Sequence, residues 1–305
     1  MRDLLPLFGL AMTVFTANLA ETVHAETILV HGHRGSRATR PENTLPAFEY
    51  AIQHGVDALE LDLAVTKDNV LVVSHFPYIT PDHPGERVCT GPAVPARTAI
   101  YTLTLAQLQQ YDCGSNTLAA FPKQVAVSGT KIPTFEQVLD LAPQGSFDFN
   151  VETKIFPNHP ELTPSPEEFV RMIDQAVKRH HLQSRVILQS FDFRTLRAMK
   201  QIDPSIRRSA LFGNPKYDSL MGISDPDKDF VSLGRKSEAT ILSPDFELVT
   251  PQNVAASHEA GLQVIPYTVD KPEDWQKMVD AKVDAIITDD PEALLAWLRA
   301  RSLHP

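Results

Sequence analysis

The sequence predicts an α/β fold, a (β/α)8 barrel of the TIM type, with a short β-hairpin and an extended loop insertion after the second strand. Three observations predict it. Short apolar runs alternate with helix-like stretches from Thr27 onward, one run is tied to its neighbour by a turn too short for a crossover, and setting that run aside leaves eight strands.

The first run, Ile28 to Val30, leads into a helical stretch from Thr44 to His54 in which Leu45, Phe48 and Ile52 share one face. Ala58 to Val65 and Val70 to Val73 follow, separated only by Thr66-Lys67-Asp68-Asn69. A parallel crossover needs about a dozen residues or more, so the third run must fold back as a hairpin. Residues 76–131 then break the rhythm. They carry Pro77, Pro81, Pro84, Pro92, Pro95 and Pro122, and only Leu105 to Tyr111 reads as a helical piece.

Thr134 opens the next helix, to Ala142, with Gln137 three positions on as a capping box. The remaining runs are Phe147 to Val151, Val186 to Leu188, Ser209 to Phe212, Ile241 with Leu242, Val264 with Ile265, and Ala285 to Ile287. Helical stretches lie at Pro166 to Arg179, Phe193 to Ile202, Thr250 to Ala260, Pro272 to Ala281 and Pro291 to Arg301. Gly145, Gly213 and Gly261 punctuate element ends.

Before this pattern comes a segment with the layout of a secretory signal peptide over residues 1–25: one arginine, an apolar stretch from Leu4 to about Ala20, and small residues up to Ala25. A membrane anchor is the competing reading, but Pro6, Thr13, Thr16 and Asn18 interrupt a run already short of the ~20 apolar residues a span needs. The expectation is an exported protein, periplasmic or secreted, with one barrel domain over residues 26–305 and no stable membrane span in the mature chain. Cys89 and Cys113 both fall in the 76–131 insertion, and in an oxidising compartment they are a disulfide candidate. The alternative is two unpaired thiols. Net charge is −10 over 305 residues, so no global basic field holds a nucleic-acid backbone and any phosphate site must be local. Nothing in the sequence specifies an oligomeric state.

In such a barrel, side chains at the C-terminal ends of the strands share one mouth. Those ends carry His31, His33 and Arg34, then Glu60 and Asp62, then His75, then Glu152 and Lys154. Glu60 and Asp62 are two apart on a strand and face the same way, as do Glu152 and Lys154. Three carboxylates projecting to one side repel each other, and a divalent cation, Mg²⁺ or Ca²⁺, reconciles them. Alone, the Glu-x-Asp pair reads as the solvent face of a strand, and a lone histidine as a satisfied structural residue. Together with Arg34, which can grip two phosphate oxygens, and Lys154, a point charge for a third, the two histidines suggest an acid and a base for proton transfer at a phosphate.

His33-Arg34, Glu60-Leu61-Asp62 and His75 resemble the His-Arg, Glu-x-Asp and His signature of the glycerophosphodiester phosphodiesterases. HGHRGSRATRPENTLPAF, with Pro41-Glu42-Asn43-Thr44, is similar to that family's first strand and following loop. VETK, Gln189-Ser190-Phe191 and Ile287-Thr288-Asp289 with Pro291 resemble later strand ends, so the likeness runs from about Ile28 to Leu298. It implies a barrel enzyme that hydrolyses a small-molecule glycerophosphodiester to glycerol 3-phosphate and an alcohol. In it Glu60, Asp62 and Glu152 bind metal, His33 and His75 form the catalytic pair, and Arg34 and Lys154 hold phosphate. Glu42 would assist at the metal and Asn43 would orient the loop. Two positions depart from the family's pattern: Phe76 stands where aspartate is common after the second histidine, and Tyr267 where tryptophan is common in the glycerol pocket.

Three other readings compete. A lysophospholipase D-like enzyme of the same superfamily would use the same residues with an apolar groove for a longer substrate. A non-catalytic protein that captures phosphorylated solutes would bind without hydrolysing. A glycosidase built on a carboxylate pair leaves both histidines, Arg34 and Lys154 unemployed.

Overall fold

The computed structural model describes residues 27–79, 89–95, 97–224 and 229–305. The signal peptide expected over residues 1–25 lies outside them. The strands are β1 (Leu29–Gly32), β2 (Ala58–Val65), β3 (Leu71–Val73), β4 (Asp148–Thr153), β5 (Val186–Ser190), β6 (Arg207–Phe212), β7 (Ile241–Pro244), β8 (Gln263–Val264) and β9 (Ala285–Thr288). The helices are α1 (Leu45–His54), α2 (Leu105–Leu108), α3 (Phe135–Leu139), α4 (Pro166–Arg179), α5 (Phe193–Ile202), α6 (Pro215–Met221), α7 (Phe230–Ser237), α8 (Pro251–Glu259), α9 (Pro272–Asp280) and α10 (Pro291–Arg299).

Parallel pairing runs in the order β8-β7-β6-β5-β4-β2-β1-β9, with β3 antiparallel on β2. The hairpin expected from the short turn is therefore present, and Asn69 at its corner has φ 58°. Between β8 and β9 the seam is closed by single backbone bonds, Asp284 N–H to the Val264 carbonyl and Ile287 N–H to the Pro266 carbonyl, both 3.0 Å. Pro266 has no N–H to give, so β8 ends as a regular ladder after two residues and the barrel is nearly rather than fully laddered.

Local signals explain where the helices begin. Thr44 accepts a bond from Ala47 N–H at the start of α1, and Gly55, at φ 85°, ends it in a conformation that costs glycine little. The capping box of Thr134 and Gln137 forms at α3, and Ser165 with Glu168 makes another at α4. No helix is expected from sequence between residues 212 and 241, yet α6 and α7 lie there. They are short, and Gly234 weakens the helical signal of α7; that glycine lies against Leu262, where a Cβ would meet the leucine at 2.7 Å.

The main core lies between the barrel wall and the helices, with Phe48, Phe135, Phe149, Phe169, Phe193, Phe212 and Phe230 buried in it. A smaller cluster of Ile187, Ile241, Ile265, Ala285 and Ile287 fills the barrel interior. The insertion has its own core, where Val72, Ile79, Ile100, Leu103, Leu108, Tyr111 and Ile132 surround the Cys89–Cys113 disulfide. Gln124 ties this unit to the loop after β1, its amide donating to the Arg37 and Arg40 carbonyls at 2.7 and 3.0 Å. Among the described residues no helix is long and apolar enough to cross a membrane.

The burial of His31 has a consequence for stability. Enclosed within the barrel, it is held down to about pKa 3, chiefly by burial and to a lesser degree by Arg207, and so folds as the neutral imidazole. The unfolded chain binds a proton on it below about pH 6.5. Its contribution to stability is therefore complete above that pH and is lost progressively as pH falls from 6.5 towards 3. Thermal unfolding of the wild type and His31→Gln across pH 7.5 to 4.5 checks this: the wild type is expected to lose midpoint faster on acidification, and parallel curves would contradict it.

Candidate active site

Strand register carries the site. Asp62 pairs with Glu152, and Glu152 with Gln189, across β2, β4 and β5, so these side chains rise from neighbouring strands at one level of the barrel. Ligand atoms of Glu60, Asp62 and Glu152 all lie within 4.8 Å of one another, and all three residues are buried. His33, Arg34, Glu60, His75, Glu152, Lys154 and Gln189 line one cavity of about 160 Å³, whose opposite wall is Phe191, Leu211, Asn214, Tyr267, Thr268 and Ile287.

The loop after β1 is shaped to deliver its groups. Arg34 and Asn43 adopt φ 51° and 54°, a left-handed conformation uncommon outside glycine. In that turn the Arg34 N–H reaches the Glu60 carboxylate at 2.9 Å, and its guanidinium donates to Glu42 at 3.0 Å and lies 3.5 Å from Asp62. Asn43 brackets Asp62, donating to its carboxylate at 2.8 Å and accepting from its backbone N–H at 3.3 Å. Gly35, at φ 88°, packs so closely on α1 that a Cβ would sit 2.7 Å from the Ala47 backbone. Glu42 accepts from both Arg34 and Arg37, the latter at 2.5 Å, and so holds the Arg34 guanidinium beside Asp62.

His33 is oriented by a residue at the far end of the chain. Its Nδ1 lies 2.5 Å from the Asp289 carboxylate, and its Nε2 lies 4.0 Å from Glu60. Asp289 follows β9, which pairs with β1, and the His33 N–H also bonds the Thr288 carbonyl at 2.8 Å. Burial alone would raise the Asp289 carboxyl, but His33, Arg37 and Arg34 hold it below its ordinary value. The motif Ile287-Thr288-Asp289 was visible in sequence as a strand end; its partnership with His33 was not. His75 lines the same cavity, with the Phe76 ring tilted against it at 5.3 Å. Burial, with Arg34 and Lys154 nearby, pushes the His75 imidazole well below its ordinary value.

Lys154 lies 3.0 Å from Asp62 and 2.7 Å from Glu152. Burial opposes its charge, but the two carboxylates win and raise its pKa. Asp62 is held well below the carboxylate range: burial pushes it up, and Lys154, His75, Arg34 and the Asn43 amide outweigh that. Glu60 goes the opposite way, pushed well up by burial and by Asp62 and Glu152. Glu152 is pushed up to about 7, burial and Asp62 outweighing the lysine beside it. A cluster whose acids resist ionising together is short of positive charge. Its donors are all carboxylate oxygens, which suit a hard divalent cation of the Mg²⁺ or Ca²⁺ kind.

Tyr267 is positioned by its hydroxyl, which donates to the Phe212 carbonyl at 3.1 Å, and its ring meets Phe191 edge-on at 5.8 Å. Phe191 in turn stacks on Tyr217 at 4.8 Å. Sequence reading missed Tyr217 and Asn214 because they belong to the unanticipated segment around α6.

The glycerophosphoryl diester phosphodiesterase family matches residues 33–293. A glycerophosphodiester phosphodiesterase of Caldanaerobacter subterraneus subsp. tengcongensis is 32% identical over 271 residues, covering 89% of this chain and 98% of the relative. One from Bacillus subtilis is 28% identical over 284 residues, covering 92% and 89%. Among solved structures, a Silicibacter pomeroyi DSS-3 protein, described provisionally as a glycerophosphoryl diester phosphodiesterase, superposes with a TM-score of 0.79 at 29% identity, covering 92% of this chain and 96% of that one. An Oleispira antarctica phosphodiesterase, solved with the product sn-glycerol-3-phosphate, shares the fold with a TM-score of 0.70 at 22% identity, covering 90% and 97%. The chain thus belongs to the glycerophosphoryl diester phosphodiesterase family, the phosphoric diester hydrolases built on this barrel.

Proposed function

We propose that this protein is a divalent-metal-dependent hydrolase that converts glycerophosphodiesters to glycerol 3-phosphate and a free alcohol by histidine acid–base catalysis. The observation that carries the reading is the meeting, in one cavity, of three carboxylates, two imidazoles, Arg34 and Lys154. Glu60, Asp62 and Glu152 hold the cation, Mg²⁺ or Ca²⁺, which when bound supplies Lewis-acid withdrawal of charge from phosphate oxygens. Arg34 and Lys154 position the remaining oxygens. His33, held by Asp289, takes the proton from the attacking hydroxyl, and His75 gives one to the departing alcohol oxygen. Burial, with Arg34 and Lys154, holds the His75 imidazole low, and a bound phosphodiester anion offsets those two charges and so favours a proton on it.

The uncharged wall of Phe191, Leu211 and Tyr267 suits the carbon face of a glycerol unit. Among the described residues of the insertion, Ile79, Ile100, Leu103, Leu108 and Tyr111 pack into its own core, which favours glycerophosphodiesters over lysophospholipids with a long acyl chain. The deciding assay incubates the protein with glycerophosphocholine and, separately, lysophosphatidylcholine, with and without chelator. Glycerol 3-phosphate is expected from the first substrate only, and chelation is expected to abolish it. Faster turnover of the lysolipid would favour the lysophospholipase reading, and metal-saturated binding without turnover would favour a solute-binding protein.

Export over the 1–25 signal peptide is part of the proposal, supported by the Cys89–Cys113 disulfide, since such bonds persist in oxidising compartments. Mass spectrometry of the protein from its native host is expected to find a mature N-terminus at Glu26; an intact Met1 would contradict export by cleavage.

A further inference from the structure

Against the acidic cluster, the barrel interior holds polar side chains that the proposed chemistry does not use. Asn150, Gln189 and His31 come from β4, β5 and β1, and all are buried. They form a chain of hydrogen bonds that ends on Glu60. Gln189 Nε2 donates to Glu60 Oε1 at 2.7 Å, Asn150 Nδ2 donates to Gln189 Oε1 at 3.1 Å, and the same Asn150 nitrogen lies 3.3 Å from His31 Nδ1.

The carboxylate sets the polarity of this chain. As a cation ligand Glu60 is a carboxylate and only accepts, so Gln189 turns its amide N–H₂ towards it, at 2.7 Å, and its carbonyl away. That carbonyl can be met only by a donor, which orients the Asn150 amide in turn. The second N–H of Asn150 then needs an acceptor, and neutral His31 provides one at Nδ1 with its proton on Nε2. The other Glu60 oxygen is taken by the Arg34 N–H at 2.9 Å, so the carboxylate is gripped at both ends.

We infer that Asn150 and Gln189 are positioning residues that hold the Glu60 carboxylate at the angle its cation needs, with His31 anchoring the chain at the barrel floor. The inference rests on the proposed role of Glu60 as a metal ligand and deepens it. Residues that orient metal ligands through hydrogen bonds typically change metal affinity by roughly 10–100-fold when replaced.

The test measures cation affinity directly, by calorimetric titration of the metal-stripped full-length mature protein with Mg²⁺ and, separately, Ca²⁺. Gln189→Leu is expected to weaken binding roughly 10–100-fold and Asn150→Leu by a smaller factor. The decisive quantity is their combination. If Asn150 acts through Gln189, the double variant binds no worse than Gln189→Leu alone, whereas independent packing effects would multiply. Unfolding in chelator reports whether each variant is folded. Should the leucine variants fail to fold, Gln189→Asn and Asn150→Ser, which break the span but keep the interior polar, are expected to give the same order of effects. Wild-type affinity in Gln189→Leu, or multiplying losses in the double variant, would overturn the inference while leaving the metal site intact, provided Glu60→Gln abolishes binding. If the wild-type protein binds neither cation, this inference falls together with the metal reading.

Discussion

Replacing either His33 or His75 with alanine is expected to lower kcat by roughly 10²–10⁴-fold while the protein stays folded, the range found for removing a positioned acid or base. At about 1.4 kcal/mol per factor of ten, that is about 3–6 kcal/mol of transition-state stabilisation from one side chain. Folding should survive because both imidazoles border the cavity rather than fill the apolar core. Neither alanine can move a proton, and the neighbouring groups are committed elsewhere: Lys154 is held charged between two carboxylates, and Asp289 is already turned onto His33. Steady-state rates on glycerophosphocholine at saturating metal decide the matter. Retained turnover in one variant removes that imidazole from the chemistry, and retained turnover in both overturns the proposed mechanism.

Asp289→Asn is expected to be nearly as damaging, although its carboxylate faces His33 Nδ1 and not the cavity's reacting centre. In the neutral imidazole, an Nδ1–H donated to the aspartate at 2.5 Å puts the free lone pair on Nε2, where it can take a proton, and the aspartate's charge stabilises the imidazolium that follows. An asparagine of the same shape can offer Nδ1 an N–H, which favours the opposite tautomer and blocks Nε2. A fall in kcat of roughly 10²–10⁴ with KM little changed is the expected signature, because the phosphate-holding Arg34 and Lys154 are untouched. An equal loss in metal affinity would instead mean that Asp289 acts through the loop after β1, by way of Arg37, which lies 3.8 Å from it.

Much of the site was legible in the chain because its chemistry is packed into short segments with a two-residue period. Glu60 and Asp62, and likewise Glu152 and Lys154, had to share a face once their runs were read as strands. The hairpin after β2 followed from turn length alone, and the capping box at Thr134 from three residues. What could not be read were relations across the barrel. The His33–Asp289 pair spans 256 residues and the Gln189–Glu60 bond spans 129, and no local period encodes either.

By itself, then, the sequence determined which residues carry charge, which strand ends bear them and on which face, since backbone alternation is a local property. The tertiary structure decided that Cys89 pairs with Cys113, that Glu42 accepts from both Arg34 and Arg37, and that the β8–β9 seam closes past Pro266. The physical reason is that each depends on where the chain folds back on itself, within the insertion, within the loop after β1 and across the closing strands. Backbone alternation encodes none of these distances.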